Sequence, residues 1–393
     1  MKLNLNKKHL KVFIFLSLVS LFADMTYEGG KSIFGSYAKV LGASALLASL
    51  AMGGEFLSHV SRFVSGIVAT RLRSSKVYWS LTIFGYLINL LAIPLLAFAG
   101  DWLAAIVLIF LERIGKGLRA PARDVILAEV TEKMGRGKAF GLHEALDQIG
   151  AVIGPLIVSL SLLLTNSNYS ITFLILIFPA FFALFFLFSA YLEYPNIKAA
   201  KISKKRSLKD KGSMKVFWIY SIAMSFVALG FISWINISYI LKASDIFPDY
   251  SIATFYLIAM LANGLLAFPI GLIYDRFGLV SLIFAPIFSI LIIPLLLTQN
   301  FVAISIASVF WGIVMAIYES NARAAIADIL PEQKRAFGYG AFGLAFGVAW
   351  MLGSVIYGYI YEIYQSTMLY FAVITEVVAL ILLLILITKF KKR

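Results

Sequence analysis

Long apolar stretches alternate with short polar connections along the chain, at 11–41, 44–70, 77–99, 102–128, 138–164, 169–192, 214–242, 249–274, 279–298, 301–328, 336–362 and 366–388. A hydrocarbon core about 30 Å thick needs roughly 20 apolar residues at about 1.5 Å rise, so each stretch suffices to cross a bilayer as a helix. The pattern predicts an all-α membrane protein with twelve transmembrane helices. A single long polar stretch divides the chain into an N-terminal six-helix bundle (1–193), a basic linker (194–213) and a C-terminal six-helix bundle (214–393). The first run follows Lys2, Lys7, Lys8 and Lys11 in the manner of a signal peptide. Asp24 and Glu28 interrupt it and no small-residue cleavage site follows, so it reads as a retained first span.

Composition agrees: 61% of residues are apolar and 14% charged, whereas soluble domains carry about 25% charged residues, which excludes a soluble enzyme. With no Cys, disulfides, thiolate metal sites and thiol nucleophiles are excluded as well. The net charge of +14 suggests nucleic acid only until the charges are placed. Lys and Arg outside the spans fall in alternate connections: the N-terminal tail, Arg71 to Lys76, Lys133 to Lys138, Lys198 to Lys215, Arg276, Lys334 with Arg335, and the C-terminal tail. The opposite connections hold only Lys39 and Lys242. The positive-inside rule therefore places both termini and the linker on the cytoplasmic side of the plasma membrane. The basic excess is topological; the expected partners are the lipid bilayer and a small-molecule substrate, with no nucleic acid.

The two halves repeat. Ala122-Arg123 answers Ala322-Arg323, Glu129 precedes Arg136 as Asp328 precedes Arg335, and Ala139-Phe140-Gly141 matches Ala336-Phe337-Gly338. Two homologous six-helix halves imply a site near the midplane and alternating access by rocking of one half on the other.

The residues that carry a family resemblance follow the eighth apolar stretch: Gly271, Asp275, Arg276 and Gly278 form a Gly-x-x-x-Asp-Arg-x-Gly motif. With it the chain resembles the major facilitator superfamily over nearly its whole length. The equivalent loop in the first half starts at Gly66 but has Thr70 where the Asp is expected. Arg113-x-x-Lys116-Gly117 is similar to the family's Arg-x-x-x-Gly signature of proton-linked carriers. Gly150-x-x-x-Gly154-Pro155 is similar to a motif of exporters that exchange substrate for protons, although small residues four apart also serve helix packing. The resemblance implies a secondary transporter, an efflux antiporter coupled to protons, monomeric and without a cofactor. In it, Asp275 helps hold the cytoplasmic face. Glu129, Arg136, Asp328 and Arg335 read as gate or anchor residues rather than ligands.

Ionisable residues at membrane depth carry the chemistry, because a charge there costs at least about 2.5 to 3.5 kcal/mol and must face protein, water or a partner. Asp24, Glu28 and Lys31 stand at i, i+4 and i+7 on one stripe, and Glu55, His59 and Arg62 repeat that spacing. Glu112, Arg113, Lys116, Arg119 and Arg123 occupy about a third of one helix circumference, and His143, Glu144 and Asp147 cluster on the next helix. Asp24, Glu28, Arg113, His59 and His143 are the expected proton-coupling set, with Arg113 competing with a proton for the acids. Glu55, Arg62, Lys116 and Asp147 are expected to meet the substrate, as are Asn236, Asn263, Trp311 and Tyr318 on an aromatic and amide wall with Trp234, Tyr239 and Trp350. Arg119, Arg123 and Asp124 read as an inter-helix ion-pair network. Direction stays open between export and uptake of an organic anion. A divalent-metal carrier using Asp24, Glu28, Glu55, His59, His143 and Asp147 is a further alternative, opposed by the cations on the same stripes. Phosphate-loop, Gly-x-Ser-x-Gly and His-x-x-x-His patterns are absent, so a membrane enzyme has no motif behind it.

Overall fold

A computed structural model describes residues 7–131, 136–197 and 214–391, and the description is helical throughout. The order begins with α1 (Lys7–Val40), the short α2 (Ala45–Ser49), α3 (Gly53–Leu72), α4 (Ser75–Leu95), α5 (Trp102–Val130) and α6 (Arg136–Leu164). It continues through α7 (Tyr169–Ile175), α8 (Ile177–Glu193), α9 (Met214–Gly230), α10 (Trp234–Ser244), α11 (Asp249–Phe277) and α12 (Phe284–Leu297). The last elements are α13 (Phe301–Ala316), a π-helical turn (Ile317–Asn321), α14 (Ala322–Ile329), α15 (Glu332–Ile363) and α16 (Thr367–Lys391). Side-chain caps set several starts: Ser74 accepts from the Val77 amide at the head of α4, and Asp101 from the Ala104 amide at the head of α5.

Among the described residues nine helices are long and apolar enough to cross a membrane. One of these runs from Asp249 to Leu297 and covers two of the predicted stretches, α11 and α12, with a turn at Gly278 (φ 58°) between them. The 20-residue α3 and the 29-residue α5 carry the polar residues of the candidate site and fall outside the nine.

The chain forms two compact units, residues 1–33 with 57–203 and 248–253, and residues 34–56 with 204–247 and 254–393. Glycine sets the helix spacing in the first unit. A Cβ at Gly150 would overlap the Leu21 carbonyl and one at Gly154 the Met25 carbonyl, so α6 lies directly on α1. Gly85 and Gly115 bring α4 onto α5 in the same way.

The second unit contains a feature that hydropathy does not reveal. The single apolar stretch at 214–242 is broken between α9 and α10, which leaves backbone carbonyls without helical partners where no water is at hand. Aromatic side chains satisfy them: Tyr357 Oη donates to the Gly230 carbonyl (2.5 Å), Trp350 Nε1 to that of Phe231 (3.0 Å) and Trp311 Nε1 to that of Ile232 (3.0 Å). Ser233 then starts α10 by accepting from the Asn236 amide. Segment 34–56 belongs to this unit, where Tyr239 Oη donates to the Ala43 carbonyl (2.9 Å) and Ser36 Oγ to that of Ser238 (2.9 Å).

Two stability predictions follow. Trp311→Phe leaves the Ile232 carbonyl buried and unpaired and lowers stability by about 1–3 kcal/mol, read as a lower melting temperature in detergent. Gly154→Val forces α6 off α1 at a cost of about 1–3 kcal/mol; unchanged melting of either variant would contradict the packing described.

Candidate functional site

Helix α5 supplies the chemistry of the first unit. Its arc of charged residues faces protein: Glu112, Arg113 and Arg119 are 1%, 7% and 3% exposed. The close approach of α4 brings Asn89 beside Glu112, and Asn89 Nδ2 donates to the Glu112 carboxylate (2.6 Å) and to its backbone carbonyl (3.2 Å). The other oxygen of Glu112 pairs with Arg113 Nε (3.0 Å). At the far end of the arc Arg123 pairs with Asp124, the next residue in the chain (2.8 Å). The inter-helix ion-pair network expected of Arg119, Arg123 and Asp124 is therefore not what forms. Arg123 finds its acid on its own helix, and Arg119 has no ion pair among the described residues.

Between these pairs Lys116 and Arg119 rest on aromatic faces. Lys116 Nζ is 4.0 Å from the centroid of the Tyr27 ring. The Arg119 guanidinium carbon is 4.0 Å from the ring of Tyr86 and 5.9 Å from that of Tyr27. Tyr27 comes from α1 and Tyr86 from α4, so the two cations lie where three helices meet.

Helices α1 and α6 bring the acids. Asp24 and Glu28 are buried, at 5% and 8% exposure. Tyr27 Oη donates to Asp24, Lys31 pairs with Glu28 (3.4 Å), and Ser20 Oγ donates to Asp147 on α6. Charges within electrostatic reach of Asp24 are Asp147 of α6, Lys116 and Arg119 of α5, and Glu28 of α1. His143, one turn before Asp147, is buried with its Nδ1 3.3 Å from Ser17 Oγ and its Nε2 without a partner. The first unit thus gathers Asp24, Glu28, Arg113, Lys116, His143 and Asp147. His59 is half-buried and Arg62 exposed on α3 of the same unit, while Glu55 belongs to the second. No three His, Asp or Glu side chains converge to hold a metal ion among the described residues.

The second unit is arranged around amides and aromatic rings. Asn236 Nδ2 donates to Ser49 Oγ (2.8 Å) and to the Ser354 carbonyl (3.2 Å), and its Oδ1 accepts from the Ser233 and Ser354 hydroxyls (2.5 Å each). Asn263 donates to Glu319 (3.1 Å) on the π-helical turn, where Tyr318 stacks on Phe346 with ring centroids 4.0 Å apart. Trp311, wholly buried, spends its indole N–H at the helix break. Among the gate candidates, Tyr274 donates to Asp328 (2.7 Å), and Arg335 closes the end of α14 by donating to the Ala327 and Leu330 carbonyls (2.8 and 3.2 Å). Arg276 lies over Phe277, with 5.2 Å from the guanidinium to the ring centroid. Gly271 and Asp275 line a shallow cleft of about 290 Å³ with Tyr274 and Asn321. In the first unit Tyr194 Oη donates to Glu129 (2.6 Å). Burial and that bond push the Tyr194 phenol, just past α8, above its ordinary value, so it remains a donor. The Arg136 side chain lies outside the described residues.

Sequence reading missed Tyr27, Tyr86 and Asn89. Tyr27 was legible in principle, three residues from Asp24 and hence on its face. Tyr86 and Asn89 depend on the glycine-spaced approach of α4 to α5, which no periodicity announces.

The Major Facilitator Superfamily model matches residues 15–285 and again 247–393. An uncharacterised protein of Mycobacterium tuberculosis is 32% identical over 372 residues, 93% of this chain and 90% of that protein. An uncharacterised MFS-type transporter of Methanocaldococcus jannaschii is 27% identical, covering 98% of this chain and 97% of its own. Among solved structures, a mutant of the nucleoside transporter NupG superposes with a TM-score of 0.78 at 17% identity, over 95% of this chain and 99% of that one. A POT family transporter in complex with a thioalcohol-conjugated peptide gives a TM-score of 0.73 at 15% identity, over 97% and 96%. At such identities the structural likeness speaks for the fold. The sequence match over almost all of the chain, with buried acids and bases on membrane-length helices, makes this multi-pass protein a transporter of the major facilitator superfamily.

Proposed function

We propose that the protein is a proton-coupled secondary transporter of a small organic molecule, working as a monomer in the plasma membrane with twelve spans and cytoplasmic termini. The nine membrane-length helices, the double length of 249–297, and the charged α3 and α5 support the span number. Charge placement in the alternate connections supports the orientation.

The observation that carries the coupling is the buried Asp24 of α1 facing Asp147 of α6, each held by a hydroxyl, with Lys116 and Arg119 within reach of Asp24. Two carboxylates in one low-dielectric space repel when both are charged, so such a site takes up a proton, and a nearby cation competes with it. Asp24 and Asp147 are the proton carriers in this reading, with Glu28 and His143 beside them. Arg113 serves by holding Glu112, and Lys116 takes the competing role first expected of Arg113.

Export by antiport is supported by the Gly150-x-x-x-Gly154-Pro155 resemblance, although the packing of α6 on α1 already accounts for both glycines. The cations left over aromatic rings favour a second reading, cotransport of an organic anion with a proton.

Reconstituted protein accumulates its ligand when a pH gradient is imposed. Asp24→Asn or Asp147→Asn abolishes that accumulation yet leaves ligand counterflow without a gradient, because only the proton step is removed. Proton dependence unchanged in both variants would overturn the coupling assignment.

A further inference from the structure

We infer that Arg119, together with Lys116 and Tyr86, forms a binding site for an anionic group, a carboxylate or phosphate-like oxyanion, on the transported molecule. The inference rests on the transport reading above and names the substrate class it leaves open.

Of the cations on the α5 arc, Arg113 and Arg123 are each paired with an adjacent acid. Arg119 is 3% exposed, makes neither an ion pair nor a hydrogen bond among the described residues, and has a fully buried Nε without a partner. Its contacts are the faces of Tyr86 and Tyr27. A ring face attracts a guanidinium but accepts none of its five N–H groups in the way an oxygen does. Buried polar groups are expensive when unpaired, and charged ones most of all. A buried carboxylic acid has protonation as a way out. An arginine has none, because it keeps its charge at any physiological pH.

A second, independent feature points the same way. The hydroxyl of Tyr86, the residue whose ring lies under Arg119, is also buried without a partner. So is Nε2 of His143, which lies within electrostatic reach of Arg119. Unpartnered at this helix junction are Arg119 Nε–H, the Tyr86 hydroxyl and His143 Nε2, with Lys116 Nζ resting on a ring face; Asn89 Oδ1, one turn from Tyr86 on α4, is an unpartnered acceptor. The two cations on ring faces, with a guanidinium N–H and a phenol O–H free to donate, suit an oxyanion, whose lone pairs can take several charge-assisted bonds at once. The facing acids are Asp24 and Glu28 of α1 and Asp147 of α6, with Asp24 turned to Tyr27 and Asp147 to Ser20. Protonation of these acids removes the negative charge nearest the cations, so anion and proton favour each other's binding.

The test uses the full-length protein in detergent, without any pH gradient, so that it reads binding alone. Melting temperature is followed with benzoate, glutarate and methylphosphonate as sodium salts at constant ionic strength, against tetraethylammonium and glucose. At least one of the oxyanions stabilises the wild type saturably, and the cation and the sugar do not. Arg119→Gln weakens the apparent affinity at least about tenfold, the loss expected for charge-assisted hydrogen bonds, while Arg119→Lys and Tyr86→Phe weaken it less. Without probe, Arg119→Gln melts no lower than the wild type, because it removes an uncompensated charge. An arginine that merely ties helices together would lower it. Absence of saturable stabilisation by any of the three oxyanions overturns the inference. So does an affinity untouched by Arg119→Gln; if that variant does not fold, equal affinity in Arg119→Lys and Tyr86→Phe decides against it. Loss of proton coupling in Asp24→Asn with anion binding intact would separate failure here from failure of the coupling reading.

Discussion

A charge taken out of water into a bilayer-spanning bundle has to be compensated, and the first unit is organised around how each of its charges meets that demand. Glu112 and Arg113 compensate one another, with Asn89 on the second carboxylate oxygen. That arrangement exists only because Gly85 and Gly115 let α4 and α5 approach closely. Breaking a buried pair by removing one partner is far more damaging than never having had it, which gives the glycines and the asparagine as firm a place in the site as the charges. Asp24 and Asp147 are held by hydroxyls, Glu28 by Lys31, and Lys116 by the Tyr27 ring. Arg119 too rests on ring faces, and its buried Nε has no acceptor among the described residues. An incompletely compensated cation thus stands beside the acids of α1 and α6.

The second unit meets the same low dielectric by different means. Its polar demand comes from backbone: the break between α9 and α10 frees carbonyls in the interior, and Tyr357, Trp350 and Trp311 supply the missing donors. Asn236 ties Ser49, Ser233 and Ser354 into one network of neutral groups. The π-helical turn at Ile317–Asn321 places Glu319 against Asn263. Wide or broken helical turns with satisfied polar groups are a frequent feature of functional segments. Ion pairs and cations on ring faces mark the first unit, whereas amide and hydroxyl hydrogen bonds dominate the second.

Much of this was legible in the residues. Hydropathy shows where the chain can span a membrane, because about 20 apolar residues are a length requirement that composition alone satisfies or fails. The i, i+4 stripes placed Asp24 with Glu28 and aligned the cations of α5, since helix periodicity fixes faces. What periodicity does not fix is which faces meet. The partners of Arg113 and Arg119, the role of Tyr86, and the use of Trp311 as a backbone donor all depend on helix-to-helix approach set by glycines at scattered positions. The break after Gly230 was hidden for a related reason: Phe231 and Ile232 are as apolar as a continuous helix would have.

Proton exchange on ligand binding tests the central claim, that acids and cations in the first unit share one electrostatic site. Purified protein in weakly buffered solution near neutral pH is mixed with an oxyanion that stabilises it, and a pH indicator follows the protons. The wild type takes up protons as the anion binds, and Asp24→Asn with Asp147→Asn removes that uptake. Binding with no proton exchange, or with the same exchange after both acids are replaced, would contradict it.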